Sequence, residues 1–139
     1  LSAPEKTLPT KTIGFIINPI AGMGGAVGLK GTDGKTILNK AISLGAKPIA
    51  SQRAETFLSE LYLVKKSLKL IVGAGCMGEN QAAKCGFTFG VKGESKNETT
   101  PQDTQNIAKG MVKAGVDLLV FCGGDGTTRD ILKAVGMKV

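Results

Sequence analysis

Apolar residues fall along this chain in two kinds of run that take turns. Short unbroken runs predict strands buried on both faces, and longer stretches with apolar residues three and four apart predict helices. Thr12-Ile-Gly-Phe-Ile-Ile-Asn18 is the first of the short kind, followed by Leu68 to Val72, Phe87 to Val91 and Val116 to Cys122, with a shorter candidate at Lys47 to Ser51. Helical spacing is found over Lys35 to Leu44 (Ile37, Leu38, Ala41, Ile42) and over Arg53 to Lys66 (Ala54, Phe57, Leu58, Leu61, Val64). A short helix is expected over Glu79 to Lys84. Thr100-Pro-Gln-Asp103 has a hydroxyl at the N-cap, proline in the first turn and an acid three residues on, so a helix should start there and run to Ala114, burying Ile107, Met111 and Val112. A last helix is expected over Thr128 to Val135.

Strand and helix alternating in this way predict an α/β domain, a three-layer α/β/α Rossmann-like open sheet, mostly parallel, with right-handed crossovers. Ligands of such sheets sit beyond the carboxyl ends of the strands. Three Gly-rich segments should share that rim: Pro19 to Gly34 after the first strand, Gly73 to Gly78 after Val72, and Gly123 to Gly126 after Cys122. The first of these is too long for a simple connector, which favours ligand binding. Glycine makes up 20 of 139 residues, so many of them must serve turns instead of ligands.

Length fits one domain with a real core. The chain starts at Leu1, and Gly136-Met-Lys-Val139 has the look of a turn leading into another strand, so a domain of a longer protein is expected, covering residues 1–139. A net charge of +7 comes almost wholly from lysines spread along the length. With 4% aromatic residues and no tryptophan, there is no stacking platform for nucleic acid, and the charge is expected to be a solvated surface with a modest pull on phosphorylated small molecules. No apolar run approaches the roughly 18 residues of a membrane helix, so no membrane partner is expected. Cys76, Cys85 and Cys122 lack metal or redox spacing and are expected to be buried free thiols, which points to a cytoplasmic protein. Histidine is absent. That excludes His-based acid/base catalysis, leaving proton transfer to a carboxylate, lysine, tyrosine or cysteine.

Gly123-Gly-Asp-Gly-Thr127, with Thr128, combines a strand end, glycines and a helix start, the arrangement that offers backbone N–H groups and a positive helix dipole to phosphate. Asp125 stands out there, because a carboxylate repels anions unless it holds a cation or takes a proton. Gly73-Ala-Gly75-Cys-Met-Gly78 satisfies a dinucleotide fingerprint between strand and helix, but its helix is short and no acid ends the next strand. Gly34-Lys35-Thr36 resembles the end of a P-loop, yet position 29 is leucine and Gly28 is one residue too far away, so that reading is rejected.

Taken together, the Gly123 to Thr127 motif and Asn18-Pro19 with Gly22 resemble the two signatures of the NAD kinase and diacylglycerol kinase superfamily. The extended first loop is more similar to the archaeal and bacterial ATP-NAD kinase-like branch. The resemblance implies phosphoryl transfer from ATP or polyphosphate, with Mg2+ or another divalent cation, to the 2′-hydroxyl of NAD. Asp125 would be the catalytic base or electrostatic guide; Asn18, Gly22, Gly24, Gly25, Gly123, Gly124, Gly126, Thr127 and Thr128 would hold phosphate; Asp33, Gly73, Gly75, Gly78 and Glu79 are secondary candidates. No protein metal cluster is expected, and the full-length protein is expected to be a homo-oligomer. The family's second, β-rich domain would follow Val139, so residues 1–139 alone are expected to be inactive. A lipid kinase of the same superfamily and a non-catalytic dinucleotide-binding module are the alternatives.

Overall fold

The computed structural model describes residues 9–23, 35–45 and 49–139. Four strands form one all-parallel sheet: β1 (Lys11–Ile17), β2 (Leu68–Gly73), β3 (Gly90–Lys92) and β4 (Leu118–Cys122). Five α-helices accompany them among the described residues: α1 (Lys35–Ser43), α2 (Ala50–Leu61), α3 (Glu79–Lys84), α4 (Pro101–Lys113) and α5 (Asp125–Val135). The strand order is β3-β2-β1-β4, so the chain moves outward from β1 in one direction and then returns to place β4 on its other side. β1 is thus central, and every strand ends on the same edge.

Alternation along the strands divides the core in two. Phe15, Ile17, Leu70 and Val72 face Ala50, Ala54 and Leu58 of α2 and Ala82 of α3, with Val120 and Cys122 of β4 at the margin of the cluster. On the opposite face Ile16 packs with Ile107, Ala108 and Met111 of α4 and Ile131 and Val135 of α5. Gly14 shares that second face, where a Cβ would lie 2.8 Å from the sulfur of Met111, so α4 approaches the sheet over a bare backbone. The three-layer architecture expected from the sequence is present, with an all-parallel sheet.

Several boundaries differ from expectation for identifiable reasons. Ala50 and Ser51 open α2 instead of ending a strand, because Ala50, Ala54 and Leu58 form one buried helical stripe; residues 46–48 lie outside the described set. α2 stops at Leu61, and Tyr62–Ser67 tighten into a 3-10 segment in which Val64 leaves helical geometry and is exposed. Tyr62 instead meets Phe87 edge-on, with centroids 5.5 Å apart. Phe87 itself precedes β3 and is tied back to α3, its N–H donating to the Ala82 carbonyl at 3.0 Å. Only Gly90–Lys92 pair with β2, so that strand begins later than its apolar run. In α1 Ala41 is buried but Ile42 is exposed, narrowing its apolar face. All three cysteines are free, and they are partly buried at the core margins instead of within it.

α4 starts as expected. The Thr100 hydroxyl accepts from the Asp103 N–H while the Asp103 carboxylate accepts from the Thr100 N–H at 2.8 Å, a complete capping box. Asp103 also pairs with Lys96 at 2.6 Å.

Candidate active-site crevice

The sheet order reverses between β1 and β4, and the crevice beyond their carboxyl ends is where the two motif loops begin. Asn18 extends the ladder by one bond, its N–H donating to the Cys122 carbonyl at 2.9 Å. Its side-chain oxygen then accepts from the Ile20 N–H at 3.3 Å and its carbonyl from the Ala21 N–H at 3.1 Å, which bends the chain over the strand end. Ala21 and Met23 turn inward and are buried. Between them Gly22 has φ +81, a conformation that favours glycine, and a Cβ there would come 3.2 Å from Ile49.

On the β4 side the helix begins three residues earlier than the sequence suggested. Gly124 is extended and acts as N-cap, its carbonyl accepting the Thr128 N–H at 3.0 Å and the Thr128 hydroxyl at 3.1 Å. Asp125, Gly126 and Thr127 therefore form the first turn of α5 instead of a free loop. Thr127 is 3% exposed, and its hydroxyl oxygen accepts a hydrogen bond from the Asn18 side-chain amide at 2.9 Å. This bond joins residues 109 apart in sequence and closes the two motif loops into one rim.

The two adjacent glycines differ in what requires them. A Cβ on Gly123 would lie 2.5 Å from the Cβ and Oγ1 of Thr127 and 2.6 Å from its Cγ2. Because Thr127 is buried and held by Asn18, it has no room to yield. A Cβ on Gly124 would have no atom within 4 Å, and the φ of −106 there suits any residue. Packing explains Gly123; the open space beside Gly124 leaves its backbone accessible to a ligand.

Asp125 is exposed at the first helical position of α5, and among the described residues no hydrogen bond or ion pair holds its carboxylate. An acid there is favoured by the helix dipole by about 0.3–1 kcal/mol. Cys122, immediately before the motif, is half-buried; burial pushes its thiol pKa up, and the nearby positive charge of Arg53 opposes that rise. Gly24, Gly25 and Asp33 fall outside the described residues.

The third Gly-rich segment has a different character. The Gly75 N–H donates to the Glu79 carboxylate at 2.9 Å, the Ala74 N–H to the Lys92 carbonyl at 2.9 Å, and the Met77 N–H to the Ala74 carbonyl at 3.1 Å. Three of the backbone donors that this segment could offer a pyrophosphate are thus used within the protein, one of them by the Glu79 carboxylate. Its glycines are also accounted for sterically: a Cβ on Gly73 would lie 2.7 Å from the Met77 carbonyl oxygen, and one on Gly75 2.4 Å from the Ser95 hydroxyl. Gly78, at φ +143, packs against the end of β1 near the Phe15 carbonyl. The secondary candidates Gly73, Gly75, Gly78 and Glu79 form a self-contained turn beside the crevice.

A separate cavity of about 300 Å³ is lined by Gly93, Glu94, Lys96, Asp103, Asn106 and Ile107 and includes no motif residue. No group of three or more potential metal ligands occurs among the described residues. Mg2+ is commonly held by one or two carboxylates together with substrate phosphates, a role for which the exposed Asp125 is suited. Also among the described residues, no helix is long and apolar enough to cross a membrane.

Residues 13–139 match the family model described as the ATP-NAD kinase N-terminal domain. No curated protein and no solved structure gave a match.

Proposed function

The chain belongs to the ATP-NAD kinase family, through that family's N-terminal domain, and from that premise we propose that it serves as the N-terminal domain of an enzyme that transfers a phosphoryl group from ATP or polyphosphate to the 2′-hydroxyl of NAD. The observation that carries this reading is the Asn18 to Thr127 hydrogen bond, which makes one rim of the two motifs at the point where the sheet order reverses. Phosphoryl transfer asks chiefly for positioned donors and compensated charge, with little covalent work by the protein. Backbone around Gly124, open to approach, and the dipole of α5 would hold phosphate oxygens.

Asp125 would sit beside that phosphate chain and accept the proton of the ribose hydroxyl as its oxygen attacks the terminal phosphorus and the donor's bridging oxygen departs, leaving ADP or a shortened polyphosphate. Mg2+, where bound, would offset charge on the donor phosphates, and Asp125 would be the motif carboxylate to help hold it. Cytoplasmic location and a homo-oligomeric state belong to the same proposal.

Full-length protein offered NAD, NADH or a diacylglycerol, each with ATP or polyphosphate, should label NAD or NADH. Labelling of the diacylglycerol alone would contradict the assignment and select a lipid kinase.

A further inference from the structure

The crevice has an acid of its own in Asp125, so a phosphate chain bound there needs positive charge from the protein as well as from any metal ion. We infer that Arg53, on the first turn of α2, is a phosphate-binding residue of this crevice that contacts the donor's phosphate chain. The inference rests on the kinase reading for the identity of the donor, and on the following features for its place.

Ala50 and Ala54 pack in one cluster with Ala21, just beyond β1, and with Val120 and Cys122 of β4. Arg53 is three residues after Ala50 and four before Phe57, which stacks on Phe15 of β1 with centroids 5.4 Å apart. At helical spacing that puts Arg53 on the border of the buried stripe, on the wall of the crevice. Ile49, which precedes α2, meets the bend at Gly22. The positive charge of Arg53 is also felt at Cys122, the residue next to Gly123.

Arg53 does little there for the fold. It is exposed, and among the described residues the ion pairs are Lys84 with Glu55 and Lys96 with Asp103, neither involving it. A cation in a helix's first turn opposes the helix dipole, and α2 has no acid there to offset it. Local stability therefore does not account for this side chain, whereas a guanidinium fork suits phosphate oxygens. Arg129, the other arginine of the chain, lies beyond Asp125 on α5.

Calorimetric titration of the full-length protein with inorganic tripolyphosphate and with ATP tests this. Arg53→Gln should weaken both by about tenfold, as loss of a charge-assisted phosphate contact does. Arg53→Lys should weaken both less, and Lys69→Gln, an exposed charge at the amino end of β2, should leave both unchanged. The melting temperature of Arg53→Gln should not fall. Unchanged affinity in Arg53→Gln, an equal loss in Lys69→Gln, or a wild-type protein that binds neither ligand overturns the inference. Its failure is distinct from that of the kinase reading: Arg53-dependent tripolyphosphate binding without phosphorylation of NAD keeps the inference and removes the reading. NADP formation with affinities untouched by Arg53→Gln does the reverse.

Discussion

Gly123 and Gly124 are neighbours with opposite constraints, and they separate packing from ligand access at single-residue scale. Gly123→Ala drives a methyl into the buried Thr127 side chain, strains the Asn18 contact and should cost about 1–3 kcal/mol of stability, as overpacking usually does. Gly124→Ala meets no protein atom and should stay within about 1 kcal/mol of wild type, the small cost of alanine at an N-cap. Its effect should appear in ligand binding, as a loss of about tenfold in ATP affinity where the new methyl fills the approach to the backbone. Denaturant unfolding paired with calorimetry checks both; a Gly124→Ala protein that unfolds easily but binds normally would reverse the assignment. The sequence alone treats these residues as equivalent members of one motif. Only the burial of Thr127, fixed by a residue 109 positions away, tells them apart.

At the scale of elements, the helix ends show what local sequence can and cannot reveal. α4 begins at Thr100 as its residues require, because every partner of the capping box lies within three positions. α5 begins at Asp125 instead of Thr128 because a Gly-rich stretch with no side-chain cap reads locally as loop, and a long-range contact to Asn18 draws it into the helix. Spacing is likewise silent at the dinucleotide fingerprint, where it cannot show that Glu79 already occupies the Gly75 N–H. The capping box also carries a pH dependence. The Lys96 hydrogen bond lowers the Asp103 pKa, burial acts the other way, and the Thr100 N–H and hydroxyl lower it further. A carboxylate lowered on folding stabilises above its unfolded value near 3.8 and loses that contribution as pH falls through the folded value. Asp103→Asn should therefore destabilise by about 1 kcal/mol near neutral pH, and its deficit relative to wild type should shrink on acidification below that unfolded value. Thermal melts across that range measure it; a deficit that persists in acid would show that the charge is not the cause.

For the whole molecule, the strand order decides which loops can cooperate. With β1 central and β4 beside it, the Asn18 and Gly123 loops share the crevice where the order reverses, while the Gly73 loop stands one strand away. That the chain leaves β1, β2 and β4 on one edge was legible from alternation alone, since parallel strands end together; which two of the segments that begin there meet was not, because strand order is set by packing across the sheet. The crevice so formed combines an open backbone at Gly124, the start of α5 and an exposed Asp125, with Arg53 proposed for its wall. In the proposed phosphoryl transfer each would have a place, and Asp125 the most specific one. The most direct test is the turnover of NAD to NADP by full-length wild type and Asp125→Asn, with thermal unfolding of both. The account predicts a fall of about 10²-fold or more in kcat with a stability change below about 1 kcal/mol. Equal turnover in the two proteins would contradict it.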